Sequence, residues 1–177
     1  MPALAIIGGT GLTNLNTLEI THREVIHTPY GSPSGAVTHG RLNGREIAFL
    51  ARHGYGHTIP PHKVNYRANL WALKHIGAEK VLAVAAVGGI RSDMAPGALA
   101  VPDQIVDYTY GRACTIFEED LSHVTHIDFT FPYCEELRTR VIGAAEAAGI
   151  PIVKDGTYGA TQGPRLETAQ EINRMER

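Results

Sequence analysis

Apolar residues along this chain fall in short unbroken runs, each closed by a glycine-rich polar turn, and two longer stretches show helical spacing. The runs ALAII (3–7), EIAFLA (46–51) and KVLAVAAV (80–87) predict strands buried on both faces, with QIVDYT (104–109) and PIVKDGTYGAT (151–161) as further strands. Turn residues in TPYGSPSG, within 23–39, predict a hairpin between β-type segments. From 63 to 77, Val64, Leu70, Trp71, Leu73 and Ile76 predict an amphipathic helix stopped at Gly77. A second helix is predicted over 134–150, with Leu137, Val141, Ala144, Ala145 and Ala148 inward, and a third starts in LETAQEINRMER. Alternating strands and helices with apolar central strands predict an α/β fold, its central sheet mixed but largely parallel and flanked by helices.

Composition narrows the class. The chain has 177 residues, 44% hydrophobic and 19% charged, which suits a single soluble domain over 1–177. A net charge of -2 gives no basic field for nucleic acid. No apolar run approaches the ~20 residues that span a bilayer. MPALAIIGGTG lacks a basic leader and reads as a strand, so a cytoplasmic protein is expected. Cys114 and Cys134 show no metal or redox spacing and are expected as free thiols.

The chemistry gathers where such sheets bind ligands, at the carboxyl ends of strands, which here read GGTG, RHG, VGG and TQGPR. The glycines of GGTG let backbone N–H groups approach an anion, although the same residues make an ordinary tight turn. ARHGYGHTIPPHKVNY (51–66) concentrates Arg52, His53, His57 and His62. Such a run suits an anion site, a metal site, a phosphohistidine or plain surface histidines. Metal is disfavoured, because TIPP breaks any helix through His53 and His57, and no metal site is expected. Arg-His-Gly also resembles the histidine phosphatase motif, but a GGTG strand and a hairpin precede it here.

The succession GGTGL, LARHG, HTIPPHKVNYRANLWAL, AVGGIR, APGALAVPDQIVDYT and GATQGPRLET resembles the methylthioadenosine/methylthioinosine phosphorylase branch of the purine nucleoside phosphorylases, from Ile6 to Met175. The resemblance implies a nucleoside phosphorylase-like fold, cleavage of a purine–sugar bond by inorganic phosphate as co-substrate, no cofactor, and a homotrimer. It implies phosphate binding by Thr10, Arg52, His53 and the backbone of Ala86. It implies a nucleoside lined by Ala86, Val87, Gly88, Leu166 and Glu167, with His57 near the sugar and His126 reaching a neighbouring subunit's 5′-pocket. Glu167 matches a glutamate that takes a hydrogen bond from purine N1–H in enzymes of 6-oxopurines, where methylthioadenosine enzymes typically carry serine. The implied substrate is therefore S-methyl-5′-thioinosine, with methylthioadenosine or a general purine nucleoside as alternatives. Read plainly, Glu167 is a first-turn acid of a helix.

Two departures from the pattern stand out. Ala85 replaces a threonine or asparagine, removing one polar contact. The family's ribose methionine, a phosphate-site threonine and its purine N7 residue are expected beyond Arg177, so no catalytic residue is expected within the chain. The sequence thus reads as the N-terminal part of such an enzyme, and an inactive assembly remnant is the competing expectation, ahead of a phosphohistidine hydrolase.

Overall fold

A computed structural model describes residues 2–9, 15–119 and 121–176. The chain forms two compact units, Met1–Ala86 with Arg112–Glu118, and Val87–Gly111 with Glu119–Arg177.

The first unit is built on a five-stranded sheet. Its strands are β1 (Leu4–Gly8), β2 (Glu19–Glu24), β3 (Val37–Leu42), β4 (Arg45–Ala51) and β5 (Lys80–Val84), in the spatial order β2-β3-β4-β1-β5. β1 runs parallel to both β4 and β5, and β3 is antiparallel to β2 and β4. The sheet is therefore mixed, as expected. β4 shows why an unbroken apolar run is required. Ala48 and Leu50 enter one cluster with Ala5, Val37, Ala72 and Leu73, while Ile47, Phe49 and Ala51 enter another with Ile6 and Leu18. Successive side chains point to opposite faces, so a strand covered on both sides has no polar position to spare.

β3 turns into β4 through Asn43-Gly44, both at positive φ (50° and 76°). That is the backbone a two-residue hairpin needs to match strand twist, and Asn-Gly is its usual sequence. This Asn-Gly signal marks the β3–β4 hairpin in the sequence. The TPYGSPSG turns join β2 to β3, which pair antiparallel, so the hairpin expected across 23–39 is present as well, with a long connection.

Helix α1 (Tyr66–His75) follows a short 3₁₀ turn, Pro61–Lys63. Asn65 caps it by accepting a hydrogen bond from the Ala68 N–H (3.1 Å). Its inward face is Ala68, Asn69, Ala72 and Leu73. Leu70 stands 53% exposed, because it lies roughly 200° around the helix from Ala68. The predicted stop holds, with Gly77 at φ 84°.

The second unit carries a two-stranded parallel sheet, β6 (Gln104–Asp107) with β7 (Thr157–Ala160), and helices α2 (Glu135–Ala147) and α3 (Ala169–Met175). None of its described residues is fully buried. Three expectations are corrected. β5 ends at Val84 rather than 87, and β7 occupies only part of 151–161, Val153 making a lone bridge to Ala100. On α2, Ala144 and Ala148 are exposed, and only Leu137, Val141 and Ala145 of the predicted stripe are half-buried. The helix is anchored through Arg138, which donates to the carbonyls of Pro102 (2.8 Å) and Lys154 (2.7 Å). No described helix is long and apolar enough to cross a membrane.

The two faces of α1 give a direct test. Leu73→Ala should cost about 2–5 kcal/mol, because Leu73 is fully buried, whereas Leu70→Ala should stay within about 0.5 kcal/mol. Urea midpoints of both variants against the parent read the difference, and equal shifts would contradict the packing.

Candidate functional site

Parallel pairing brings the carboxyl ends of β1, β4 and β5 level, with Gly8 in register with Ala51 on one side and Val84 on the other. The next residues are therefore neighbours as well. Gly9 donates its N–H to the Val84 carbonyl (2.9 Å), and the Arg52 N–H donates to the Gly8 carbonyl (2.8 Å). A Cβ on Gly9 would lie 2.8 Å from the Val84 oxygen, 2.9 Å from Arg52 Nη2 and 3.3 Å from Ala85 Cα. The guanidinium thus lies over a backbone that only glycine leaves open. Thr10, expected beside it, lies outside the described residues. Ala86 closes the first unit and is exposed.

Arg52 is half-buried, and among the described residues no carboxylate pairs with it. Arg67, Arg91, Arg138, Arg140 and Arg165 all have such partners, in Glu118, Asp93, Glu135, Glu136 and Glu171. A guanidinium at strand ends with no internal counter-charge is suited to an external anion, which its planar fork meets through two oxygens.

His53 is only 7% exposed. Its Nδ1 lies 2.7 Å from the Ile59 carbonyl, which can only accept, so Nδ1 carries the proton. Nε2 is left with the lone pair in the neutral ring. Burial pushes the His53 pKa down; the Ile59 hydrogen bond opposes this, and the charges of Arg52 and His57 reinforce it. The loop beyond is tightly turned, with His57 at φ 52° and its ring 4.8 Å from that of His53. His57 itself is exposed.

Part of the attractive HKVNYRAN stretch serves as scaffold. Asn65 Nδ2 donates to the Tyr30 carbonyl (2.7 Å). Asn69, 2% exposed, accepts from the Ser34 N–H (2.8 Å) and donates to Ser34 Oγ (3.0 Å). These amides tie the long β2–β3 connection to α1. Polar residues on a helix's inward face were the available signal.

The remaining candidates lie in the second unit. Val87 (63%) and Leu166 (85%) are exposed, as are Gly88 and His126, and Glu167 is half-buried. Glu167 precedes the helix rather than opening it. Thr168 caps α3 and forms a capping box with Glu171, which is the first-turn acid. Arg165 is held by both Glu171 oxygens (2.7 and 2.8 Å), and that pairing, with the Thr168 N–H bond, brings the Glu171 carboxyl down to about 2. Glu167 consequently keeps a carboxylate with no hydrogen bond or ion pair among the described residues.

Comparison with known proteins matches residues 3–177 to the phosphorylase superfamily. The chain is 56% identical over 177 residues to a Pseudomonas syringae protein named "Probable S-methyl-5'-thioinosine phosphorylase", covering all of this chain and 72% of that one. It is 47% identical over 177 residues to the 6-oxopurine nucleoside phosphorylase of Pyrococcus furiosus, covering 97% of this chain and 66% of that one. The structure of Schistosoma mansoni methylthioadenosine phosphorylase in complex with adenine superimposes with a TM-score of 0.94 at 33% identity, over 99% of this chain and 70% of that one.

A lowered His53 pKa has a fixed sign. The folded state resists protonation more than the unfolded chain does, so stability falls as pH drops through the ordinary histidine value of 6.5 and rises with pH across that window. Ring-proton NMR should place the His53 midpoint below 6.5. A midpoint at or above that value would refute the buried, neutral ring.

Proposed function

The chain belongs to the phosphorylase superfamily, and we propose that it acts in phosphorolysis of S-methyl-5′-thioinosine, giving hypoxanthine and S-methyl-5-thioribose 1-phosphate. The observation that carries this reading is Arg52, a half-buried guanidinium with no counter-charge among the described residues, set over Gly9 at the meeting of three strand ends. One unified phosphorylase domain is part of the reading, since a single family match runs across both units. So is a homotrimer in which the exposed His126 reaches a neighbouring subunit.

Phosphate is the nucleophile. One of its oxygens forms a bond to C1′ as the C1′–N9 bond breaks. The departing electron pair moves onto the purine, where a proton at N7 neutralises it. Between the two bonds the sugar carries oxocarbenium charge, which a positioned phosphate anion stabilises before it attacks. Arg52 holds two phosphate oxygens, with Thr10 and the Ala86 backbone completing the cradle. His53 offers its Nε2 lone pair to the hydroxyl of hydrogen phosphate, which a neutral ring can accept and a charged ring cannot. Phosphate is consumed as a substrate, and no step needs another cofactor.

Glu167 supplies the choice of base. Hypoxanthine carries a proton at N1 and gives it to a carboxylate as a hydrogen bond, whereas adenine presents a lone pair there and is repelled. Its free carboxylate supports this, and Val87 and Gly88 form the wall against which the base lies. The likeness to a methylthioadenosine phosphorylase keeps 5′-methylthioadenosine as the second reading.

Two measurements separate these parts. Arg52→Ala should weaken inorganic phosphate binding by this chain roughly ten- to hundredfold, the value of a charge-assisted contact at ~1.5–3 kcal/mol. Calorimetric titration reads it without requiring turnover, and unchanged affinity would remove Arg52 from the site. Selectivity is read as kcat/KM for methylthioinosine against methylthioadenosine. The 6-oxo nucleoside should be preferred by up to about 10⁴, and Glu167→Ser should erase most of that preference. A parent that prefers methylthioadenosine, or a Glu167→Ser variant with the same ratio, would overturn the assignment.

A further inference from the structure

Away from the strand ends, on the hairpin side of the sheet, β2 and β3 bring together three side chains that no spacing in the sequence connects. His22 and His39 are direct cross-strand partners, and Glu24 lies two residues along β2, on the same face as His22. The two imidazoles stack with centroids 4.3 Å apart and planes 6° from parallel. One donor atom from each of His22, Glu24 and His39 lies within 4.8 Å of the others. His39 Nε2 is 3.1 Å from Glu24 Oε2, yet it is closed to solvent and has no aligned hydrogen-bond partner.

We propose that His22, Glu24 and His39 form a binding site for a zinc-type divalent transition metal that clamps the edge strand β2 to β3. Two imidazoles and one carboxylate are a recurring protein zinc set, with ligands ~2.0–2.2 Å from the metal and hence about 3.3 Å from one another. The present spacing needs to close by only about 1.5 Å. His22 is exposed and the Glu24 side chain is 44% exposed, so these two can move toward the less exposed His39. The His22 ring is held on one edge. Its Nδ1 lies 3.2 Å from Thr21 Oγ1, which leaves Nε2 for the metal. Burial, helped by the neighbouring His22, keeps the His39 pKa below its ordinary value, against the pull of Glu24 and Glu46, so its lone pair is available at neutral pH.

The surroundings suit an ion with an open position. The cluster lines a cavity of about 360 Å³ that also meets Arg41, Glu46 and His75. Arg41 opposes a cation there, but its cross-strand partner is Glu46, so the rim carries one charge of each sign. The volume holds water as a further ligand. His75 stacks on Trp71 (4.8 Å) at the cavity edge. His39 Nε2, closed to solvent and facing Glu24 Oε2 at 3.1 Å, is the atom that would turn to such an ion. β2 is a sheet edge with nearly every residue exposed, and a metal cross-link would hold it without additional core.

The test uses the whole chain in phosphate-free buffer with Co²⁺ as a visible probe and Zn²⁺ as competitor. The expected result is saturable 1:1 Co²⁺ binding with the d–d absorption of a four- or five-coordinate ion, displaced by Zn²⁺. His22→Gln and Glu24→Gln should each weaken it by more than about tenfold. Both side chains lie outside the hydrophobic core, so folding is retained. Zn²⁺ should also raise the melting temperature of the parent and leave that of His22→Gln unmoved. Absence of saturable binding overturns the proposal, and so does binding of unchanged strength in both variants, which would place the ion on other histidines.

Discussion

Everything at the ligand end of this protein depends on how closely β1, β4 and β5 approach at their carboxyl ends. At Gly9 the space for a side chain is already taken by the Val84 carbonyl and the Arg52 guanidinium. A methyl group there would have to displace either a backbone oxygen bonded to Gly9 or the charged group itself. The same approach fixes the height of Arg52 through its N–H bond to Gly8 and makes Ala85 a neighbour. The placing of Arg52 over Gly9 is thus a consequence of strand register, and the register is held by a core that buries β4 on both faces.

Charge and burial divide the work between adjacent residues. Arg52 has no carboxylate partner among the described residues. His53, one residue later on a strand end, is carried inward and held neutral by desolvation, its tautomer set by the Ile59 carbonyl. A pair of cations would repel each other and attract any anion indiscriminately. One cation beside one neutral acceptor favours an oxyanion that still bears a hydroxyl. The surrounding loop secures this through main-chain bonds such as Ile59 N–H to the His53 carbonyl (3.1 Å), and through the amides of Asn65 and Asn69.

The second unit is organised differently. Its side chains are held mainly by ion pairs and turns at the surface. Arg91 bridges Asp93 and Asp155, Arg138 reaches two carbonyls, and Arg165 grips Glu171. Such exposed pairs contribute little stability each, so they orient the unit's elements more than they hold them together. One consequence is chemical. With Arg165 committed to Glu171, the half-buried Glu167 has no hydrogen bond or ion pair among the described residues.

The sequence alone determined the class of fold and the strand ends where chemistry collects. Unbroken apolar runs such as 46–51 admit few placements other than a strand covered on both faces. The stop at Gly77 was likewise a local property, written in residue type and order. Elements whose extent depends on cover were misjudged. KVLAVAAV loses strand pairing after Val84, and the predicted stripe of α2 leaves Ala144 and Ala148 exposed. Hydrophobicity states what a segment would gain by burial and does not state whether a surface is there to bury it. Tertiary structure alone decided that His39, 17 positions from His22, is its stacked partner, and that Arg52 has no counter-charge among the described residues while five other arginines have one. Pairing across strands and neutralisation across loops are distances between residues remote in sequence, and only the folded register sets them.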